Sequence, residues 1–343
     1  MFTICNVGCG RHARGYHGPS QRKYQQSHPG TVLAACCDSD EERARAYRDE
    51  FGFARSYKRI EEMLEQENPD AVCMVLPPGN IVAAAPEVMR RNIPVLVEKP
   101  PALTEHELEQ LLACQACHGA GVQVAFNRRY APLMAEARRI LEEQLRPEDA
   151  LQINYEMIRN NRLDPDFSTT AIHAIDGALF LARSPYRRAE FHYHELASLG
   201  QGVAGLSLTG EFCCGTRFRC NFQPTAGATF ERVVVHGMDF TLSVHLPMWG
   251  GFDSPGCLQY WQDDKLIREI SGAELCPSGA DFEQAGFYAE TEAFLDNVRA
   301  GQPLEPSLYE CRQPVILMEA FRNREKYWSS RQESVRAETL PTT

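Results

Sequence analysis

The sequence lacks the long apolar run that a membrane-spanning helix requires. No stretch of its 343 residues approaches the roughly 18 consecutive apolar side chains of such a helix. It also lacks an excess of positive charge, because 46 acidic residues outnumber 35 basic ones and give a formal net charge of -11. A field of that sign opposes nucleic acid and anionic membrane surfaces. Neither a nucleic acid nor a membrane is therefore expected as a partner.

No basic segment precedes the first strand-like run, which favours a cytoplasmic location. The 13 cysteines are scattered along the chain, so reduced thiols are expected rather than a disulfide scaffold. Cys114, Cys117 and His118 match the spacing of a c-type haem attachment site, but a position within a predicted helix of a cytoplasmic chain argues against haem. A single cysteine pair is also weak evidence for zinc, and no metal site is predicted.

A glycine-rich turn follows the first predicted strand, residues 2–7. Gly8, Gly10 and Ala13 match the pattern G-x-G-x-x-G/A in its alanine form. The first glycine permits a tight turn, the second lets backbone approach a pyrophosphate, and the small third residue allows the helix to pack on the strand. The pattern predicts a dinucleotide-binding βαβ unit.

An acidic residue ends the second predicted strand, residues 31–37. Asp38 stands where a carboxylate accepts hydrogen bonds from the adenosine ribose hydroxyls. Its charge repels a 2′-phosphate, so NAD is favoured over NADP. The alternative is that Asp38 caps the next helix, but Ser39 can provide that cap for the helix predicted over residues 40–51.

Turn-forming residues lie between these two sites. Gly15, Gly18 and Pro19 predict an enlarged phosphate loop, with the helix beginning near Pro19. Basic residues of this loop are candidate contacts to a pyrophosphate, although basic loop residues are more often simply solvated: Arg11, His12 and Arg14.

A lysine is placed at the end of a later strand. Residues 95–97 form a short apolar run of the kind found in a buried parallel strand, and Glu98 and Lys99 follow it. Pro100 cannot continue a central ladder, so the strand ends there. The carboxyl ends of parallel strands form the ligand crevice in open α/β sheets, so we expect Lys99 to face a bound ligand rather than solvent.

The second half of the chain changes character. A helix predicted over residues 169–182 carries His173 and Asp176 on one face. Short strand-like runs with no helices of similar length between them predict an antiparallel sheet: 151–158, 189–197, 205–213, 216–222, 231–236, 240–246 and 258–262.

The order of these motifs resembles one family. Glu-Lys-Pro closing a strand, Asn-x-Arg-Tyr-x-Pro from Asn127 and His-x-x-Asp from His173 are similar to the Gfo/Idh/MocA family, which includes glucose-fructose oxidoreductase and inositol dehydrogenase. The resemblance covers nearly the whole chain. It implies an α/β protein with a doubly wound Rossmann NAD(P)-binding domain over residues 1–127. It also implies an α+β substrate-binding and oligomerisation domain over residues 128–343 with a large open-faced, mostly antiparallel sheet, and an active site in the cleft between the two.

The resemblance also implies roles for individual residues. Lys99 would lie near the nicotinamide and the substrate hydroxyl, and His173 would act as the acid/base. A histidine titrates near the working pH, and a neighbouring ammonium can polarise the reacting oxygen. The expected cofactor contacts are Gly8, Gly10, Arg11, His12, Ala13, Asp38, Leu76, Pro77, Pro78, Glu98, Lys99 and Asn127. The expected substrate contacts are Lys99, Arg129, Asn154, Asp166, Thr169, His173 and Asp176.

The sequence departs from the family pattern at two positions. Thr169 replaces the usual aspartate four residues before His173, although Asp166 lies close enough in sequence to re-enter the site, and an apolar residue near Ile81 replaces a histidine often found after the Pro-Pro turn.

The motifs together with the resemblance predict an NAD-dependent oxidoreductase, and the resemblance implies a secondary alcohol of a sugar, sugar acid or cyclitol as its substrate. The resemblance also implies a homodimer or homotetramer that forms through the C-terminal sheet. The alternatives are a catalytically silent dinucleotide-binding sensor or scaffold, and an enzyme that cleaves glycosides with the assistance of NAD.

Overall fold

The computed structural model describes residues 1–330 and divides the chain into two compact units. The first unit combines residues 1–131 with 278–315, and the second combines residues 132–277 with the described residues from 316 onward. The domain boundary expected after residue 127 therefore differs from the structure, because a later segment returns to the first unit. Phe294 and Leu295 of that segment are fully buried in the core of the first unit.

The first unit is built on a six-stranded parallel sheet. Its strands are β1 (Phe2–Val7), β2 (Thr31–Cys37), β3 (Arg55–Tyr57), β4 (Ala71–Met74), β5 (Val95–Glu98) and β6 (Val122–Ala125). They lie in the order β3-β2-β1-β4-β5-β6, and every neighbouring pair is parallel. All residues of β4, β5 and β6 are buried, as in a parallel sheet covered on both faces. The predicted doubly wound Rossmann sheet is confirmed.

Helices flank this sheet and are numbered through the chain. Those of the first unit are α1 (Gly18–Ser27), α2 (Glu41–Phe51), α3 (Ile60–Glu67), α4 (Pro78–Met89), α5 (Glu105–His118), α6 (Asn127–Tyr130), α10 (Asp281–Gln284) and α11 (Phe287–Ala300). Those of the second unit are α7 (Pro132–Gln144), α8 (Ser168–Ala182) and α9 (Gly272–Leu275), and α12 (Arg312–Arg322) contains the division at Val315. Across residues 1–330, no helix is both long and apolar enough to cross a membrane.

The start of α2 corrects one detail of the sequence analysis. Asp40, rather than Ser39, caps this helix, because its carboxylate accepts hydrogen bonds from the backbone N–H groups of Glu42 and Arg43 at 3.1 Å each. A carboxylate at this position also interacts favourably with the positive end of the helix dipole.

The second unit contains a nine-stranded sheet in which one face packs under α8. Its strands are β7 (Ala150–Ile158), β8 (Tyr186–Glu195), β9 (Ala204–Phe212), β10 (Arg217–Gln223), β11 (Phe230–Gly237), β12 (Phe240–Leu246), β13 (Cys257–Gln262), β14 (Lys265–Ser271) and β15 (Tyr327–Ser329). The order is β14-β13-β12-β11-β7-β10-β9-β8-β15, and only the β7–β10 pair is parallel. The mostly antiparallel sheet is confirmed, while the edge strands β14 and β15 were not predicted. Nearly all of β14 is exposed, so it lacks the alternation that marks a half-buried strand.

The predicted enlarged phosphate loop is wrong. The chain is already helical at Arg11, and a π-helical turn over Ala13–His17 leads directly into α1 at Gly18. Pro19 is tolerated because it occupies the second position of α1, where its missing N–H removes no hydrogen bond within that helix. The residues that were expected to enlarge the loop therefore form one wide helical turn.

Gly18 lets this helix approach α2 closely. A Cβ atom at Gly18 would lie 2.6–2.7 Å from three ring atoms of the buried Phe51. We expect Gly18→Ala to lower the free energy of unfolding by about 1–3 kcal/mol, because the core has no room for an added methyl group. Urea denaturation measures the change. Gly15→Ala in the same winding is the matched control, since its Cβ would meet nothing within 4 Å and should leave stability unchanged or slightly raised. Equal effects of the two substitutions would contradict this account.

Candidate functional site

The glycine-rich turn after β1 is held tightly at the carboxyl edge of the parallel sheet. Gly8 has a φ of +90°, and a Cβ atom there would lie 2.1 Å from the carbonyl oxygen of Val75, so only glycine fits. The Gly8 N–H donates to the carbonyl oxygen of Cys37 at 2.8 Å. A Cβ at Gly10, in contrast, would meet nothing within 4 Å. The turn is thus fixed at its first glycine and open at its second, as backbone approach by a pyrophosphate requires.

Two buried amide side chains, absent from the sequence analysis, support this turn from below. The Asn6 Nδ2 donates to the Gly8 carbonyl oxygen at 2.8 Å, and the Gln21 Nε2 donates to Asn6 Oδ1 at 2.9 Å. Both side chains are fully buried. Because a buried amide needs partners, this chain of bonds fixes the turn to α1.

Asp38 connects the turn to the end of β2. Its Oδ2 accepts a hydrogen bond from the Cys9 N–H at 2.8 Å, and its Oδ1 accepts one from the Asp40 N–H at 3.0 Å. The Nε of Arg43 lies 3.5 Å from the same Oδ1. The carboxylate is therefore held beside the open part of the glycine-rich turn, and Asp40 takes the role of helix cap.

A histidine–carboxylate cluster lies where β5 ends. One oxygen of Glu98, Oε1, is 2.7 Å from His17 Nε2 and 3.0 Å from His12 Nε2. The other oxygen, Oε2, accepts a hydrogen bond from the Lys99 N–H at 3.0 Å. Glu98 and His17 are buried, while 46% of the His12 side chain is exposed. This cluster, His12–His17–Glu98, joins the glycine-rich turn to the strand that ends at Lys99.

The environment of the cluster sets its ionisation. Burial alone raises the pKa of the Glu98 carboxyl, but the interactions with His12 and His17 outweigh burial and hold that pKa well below its usual range. Burial lowers the pKa of His17 against the opposing effect of Glu98. At neutral pH the carboxylate is therefore ionised and His17 is a neutral imidazole that donates its Nε2–H to it.

Aromatic packing covers the cluster from the returning segment of the chain. The Phe287 ring, at the start of α11, stacks on Tyr16 with centroids 4.5 Å apart and meets the His12 and His17 rings edge-on at 5.4 Å each. Residues 278–315 therefore contribute directly to the first unit's candidate site, which the sequence analysis did not foresee. His17 was also not selected, because only the π-helical turn brings it to the same side as His12.

The remaining expected cofactor residues lie around this edge in different ways. Leu76 and Pro77 lie in the short connection between β4 and α4, and Pro78 begins α4. Arg11 is exposed beside the turn and Ala13 is buried beneath it. Lys99 follows β5, and its bond to Pro100 is cis. Asn127 is buried, and its Nδ2 donates to the Ala285 carbonyl oxygen at 2.7 Å, so it anchors the returning segment within the first unit.

The expected substrate residues divide between the two units. Arg129 belongs to the first unit, and its Nη1 lies 3.6 Å from Oε1 of Glu310. His173 and Asp176 lie in α8 of the second unit and are both buried, and Thr169 is in the first turn of that helix. Asp166 Oδ1 accepts a hydrogen bond from the Ser168 N–H at 2.9 Å, so its side chain is engaged at the start of α8.

The structure does not bring Asn154 to the helix that carries His173. Its neighbour Tyr155 faces α8, where a Cβ at Gly177 would lie 2.8 Å from the Tyr155 ring. Successive strand residues point to opposite faces, so Asn154 lies on the other face of the sheet, where its Oδ1 accepts a hydrogen bond from Gln152 at 2.8 Å. We therefore withdraw Asn154 from the candidate substrate residues.

Residues 2–126 match a model described as the oxidoreductase family with an NAD-binding Rossmann fold. This segment belongs to the Gfo/Idh/MocA family. The resemblance found in the sequence is confirmed. D-xylose 1-dehydrogenase (NADP(+)) 2 of Haloferax volcanii is 29% identical over 166 residues, which are 45% of this chain and 50% of that protein. D-apiose dehydrogenase of Paraburkholderia graminis is 30% identical over 144 residues, which are 41% of this chain and 36% of that protein. The matches thus span half or less of these relatives.

Solved structures share the fold over nearly the whole chain. Levoglucosan dehydrogenase in complex with NADH and levoglucosan superposes with a TM-score of 0.81 at 15% identity, covering 96% of this chain and 100% of that chain. A dehydrogenase from Chromobacterium violaceum gives a TM-score of 0.79 at 18% identity, covering 98% of both chains. At these identities the likeness establishes the fold of this chain.

Glu98 provides a test of the cluster. In Glu98→Gln the amide oxygen can accept from the two histidines, but the amide NH2 then faces the Lys99 N–H. A buried donor facing a donor loses its hydrogen bond, so we expect the free energy of unfolding to fall by about 1–3 kcal/mol. Urea denaturation measures the loss, with the exposed Glu148→Gln as control. Stability equal to that of the wild type would show that the cluster does not hold the turn.

Proposed function

We propose that the protein is an NAD-dependent oxidoreductase that transfers a hydride between a nicotinamide cofactor and a secondary alcohol of a sugar, sugar acid or cyclitol. The observation that carries the proposal is the contact between the Cys9 N–H and Asp38, which places a carboxylate beside a glycine-rich turn open at Gly10. Such a carboxylate recognises ribose hydroxyls. The substrate class is supported by relatives whose names specify D-xylose and D-apiose as substrates.

The choice between NAD and NADP depends on charge near the ribose. The Asp38 carboxylate repels a 2′-phosphate, which favours NAD, whereas the guanidinium of Arg43 beside it partly offsets that charge. One relative's name specifies NADP(+), and a solved neighbour contains NADH. We propose that Asp38 dominates, because its Oδ2 accepts a hydrogen bond from the turn itself while Arg43 is about half exposed.

Isothermal titration with NADH and NADPH tests this choice. We expect the wild type to bind NADH more tightly, and Asp38→Ala to weaken NADH binding roughly 10- to 150-fold, since a hydrogen bond to a charged group is worth about 1.5–3 kcal/mol. NADPH binding should be unchanged or improved. Asp40→Ala is the control at a neighbouring carboxylate, which caps α2 and pairs with Arg43 but makes no contact with the glycine-rich turn, and it should weaken NADH binding far less than Asp38→Ala. Tighter binding of NADPH by the wild type would refute the NAD assignment, and binding of neither nucleotide would refute the oxidoreductase proposal.

The chemistry needs a group that polarises the alcohol oxygen and a group that takes its proton. Bound NAD would supply the hydride acceptor. We assign the polarising role to the ammonium group of Lys99, the residue that follows β5 and whose backbone N–H is bonded to Glu98. We assign the proton-accepting role to His173 in α8. Thr169 provides no carboxylate to orient that histidine. The hydroxyl of the substrate would then give its proton to the imidazole as the hydride leaves the carbon that bears this hydroxyl.

Substitution of each group separately tests these roles. We expect Lys99→Ala and His173→Asn each to lower kcat by roughly 10²–10⁴, the usual contribution of a positioned acid or base. NADH formation with a panel of pentoses, hexoses, anhydrosugars and cyclitols gives the readout, and NADH titration checks that the cofactor still binds. Lys58→Ala and His106→Asn, at exposed positions, are controls. Unchanged kcat in either site variant would remove that residue from the mechanism.

A catalytically silent sensor is the second candidate, and Thr169 is the observation that favours it. A wild type that binds NADH but oxidises no member of the panel would support the sensor over the enzyme.

A further inference from the structure

The His12–His17–Glu98 cluster has the composition of a metal site. The ligand atoms of the three side chains all lie within 4.8 Å of one another. Two imidazoles and one carboxylate suit zinc and related divalent transition metals. We propose that these side chains bind one such ion, with Zn²⁺ as the representative metal, and leave at least one coordination position open to solvent. No metal site was expected from the sequence, and these three residues were not considered together there.

The π-helical turn creates this arrangement. His12 and His17 are five residues apart, which in a regular α-helix turns their side chains well away from each other. Within Ala13–His17 the winding is wider, and the Gly18 N–H donates to the Ala13 carbonyl oxygen five residues earlier. Both imidazoles therefore reach the same oxygen of Glu98. Single π-helical turns inside helices often occur at functional sites.

The distances between the histidine nitrogens and the Glu98 oxygen are close to those between two ligands of one metal ion. The His17 and His12 Nε2 atoms lie 2.7 and 3.0 Å from Glu98 Oε1, as hydrogen bonds require. Bonds to zinc of about 2.0–2.1 Å in tetrahedral geometry would place ligand atoms roughly 3.3 Å apart, so Glu98 must separate from His12 by about 0.3 Å and from His17 by about 0.6 Å. The half-exposed His12 has the most freedom to adjust and leaves a route from solvent, whereas the buried Glu98 and His17 must move slightly apart.

The surroundings of His17 set the expected strength. When its Nε2 binds a metal, its proton moves to Nδ1, which is buried and has no hydrogen-bond partner within residues 1–330. Metal-bound histidines usually donate that proton to an acceptor, and loss of such a partner costs roughly 10- to 100-fold in affinity. We therefore expect Zn²⁺ to bind with a dissociation constant in the micromolar range rather than the nanomolar range.

Titration of the full-length protein with Zn²⁺ tests the proposal. Chelator-treated protein, freed of the chelator and of nucleotide, is titrated by calorimetry, and Co²⁺ absorption reports the coordination geometry. We expect one equivalent to bind, and His12→Ala and His17→Gln each to weaken binding at least tenfold. The His17→Gln amide nitrogen can still donate to Glu98, so this variant should keep its metal-free melting temperature. If it fails to fold, His12→Ala at the half-exposed position still decides the question.

The controls separate this site from adventitious binding. His192 and His194 are two residues apart in β8, so their exposed side chains lie on the same face of the strand and could chelate zinc at the surface. The double variant His192→Ala/His194→Ala should retain the micromolar equivalent. Loss of that equivalent in the double variant, its persistence in His12→Ala, or absence of stoichiometric binding in the wild type would each overturn the proposal.

The metal site and the oxidoreductase proposal fail independently. Zinc binding is measured without nucleotide, so its absence says nothing about NADH binding. Failure to bind NADH would leave the zinc titration unaffected.

Discussion

One buried carboxylate oxygen holds the candidate site together. Glu98 Oε1 meets both His12 and His17, and the second oxygen meets the backbone of Lys99. Burying an ionised carboxylate costs free energy unless its oxygens are hydrogen-bonded. Here the hydrogen bonds come from two histidines of the helical winding and from the backbone at the end of β5. The same group therefore fixes the end of β5, the wide turn before α1 and the backbone from which Lys99 projects. A change at Glu98 is expected to be felt at all three.

The rest of the first unit is arranged around this contact. The wide turn is needed to direct two histidines to one oxygen, and Gly18 lets the helix that follows it lie against Phe51. Phe287 packs edge-on against the two imidazoles and so ties the returning residues 278–315 to this unit. Asn127 ties the same segment to the end of β6 through the Ala285 carbonyl oxygen. The returning segment is thus part of the dinucleotide-binding architecture.

The cluster and the Asp38 carboxylate contact the same turn, and both carboxylates are largely buried, with 11% of the Asp38 side chain and 7% of the Glu98 side chain exposed. Asp38 bonds to the turn on one side of the open Gly10, and Glu98 bonds to the helix that begins one residue later. Asp38 is the carboxylate that we propose for nucleotide binding, while Glu98 is buried behind the half-exposed His12. A metal ion at the cluster would add positive charge next to the backbone of Lys99, so occupation of this site would alter the field in which the proposed hydride transfer takes place.

The sequence by itself determined the parallel sheet, the glycine-rich turn, Asp38 at the end of β2, Lys99 after β5 and the mostly antiparallel second sheet. These features depend on local patterns: apolar runs, glycines that relieve steric conflict and a proline that stops a strand. Only the tertiary structure decided the wide turn, the meeting of His12 and His17 at Glu98, the return of Phe287 and the orientation of Asn154 away from α8. The contacts at Glu98 and the packing of Phe287 join residues far apart in sequence, and the orientation of Asn154 depends on which face of a strand packs under a helix. The periodicity of one segment does not reveal which distant residues it contacts or which of its faces is buried, because the neighbouring element that packs against the segment decides both.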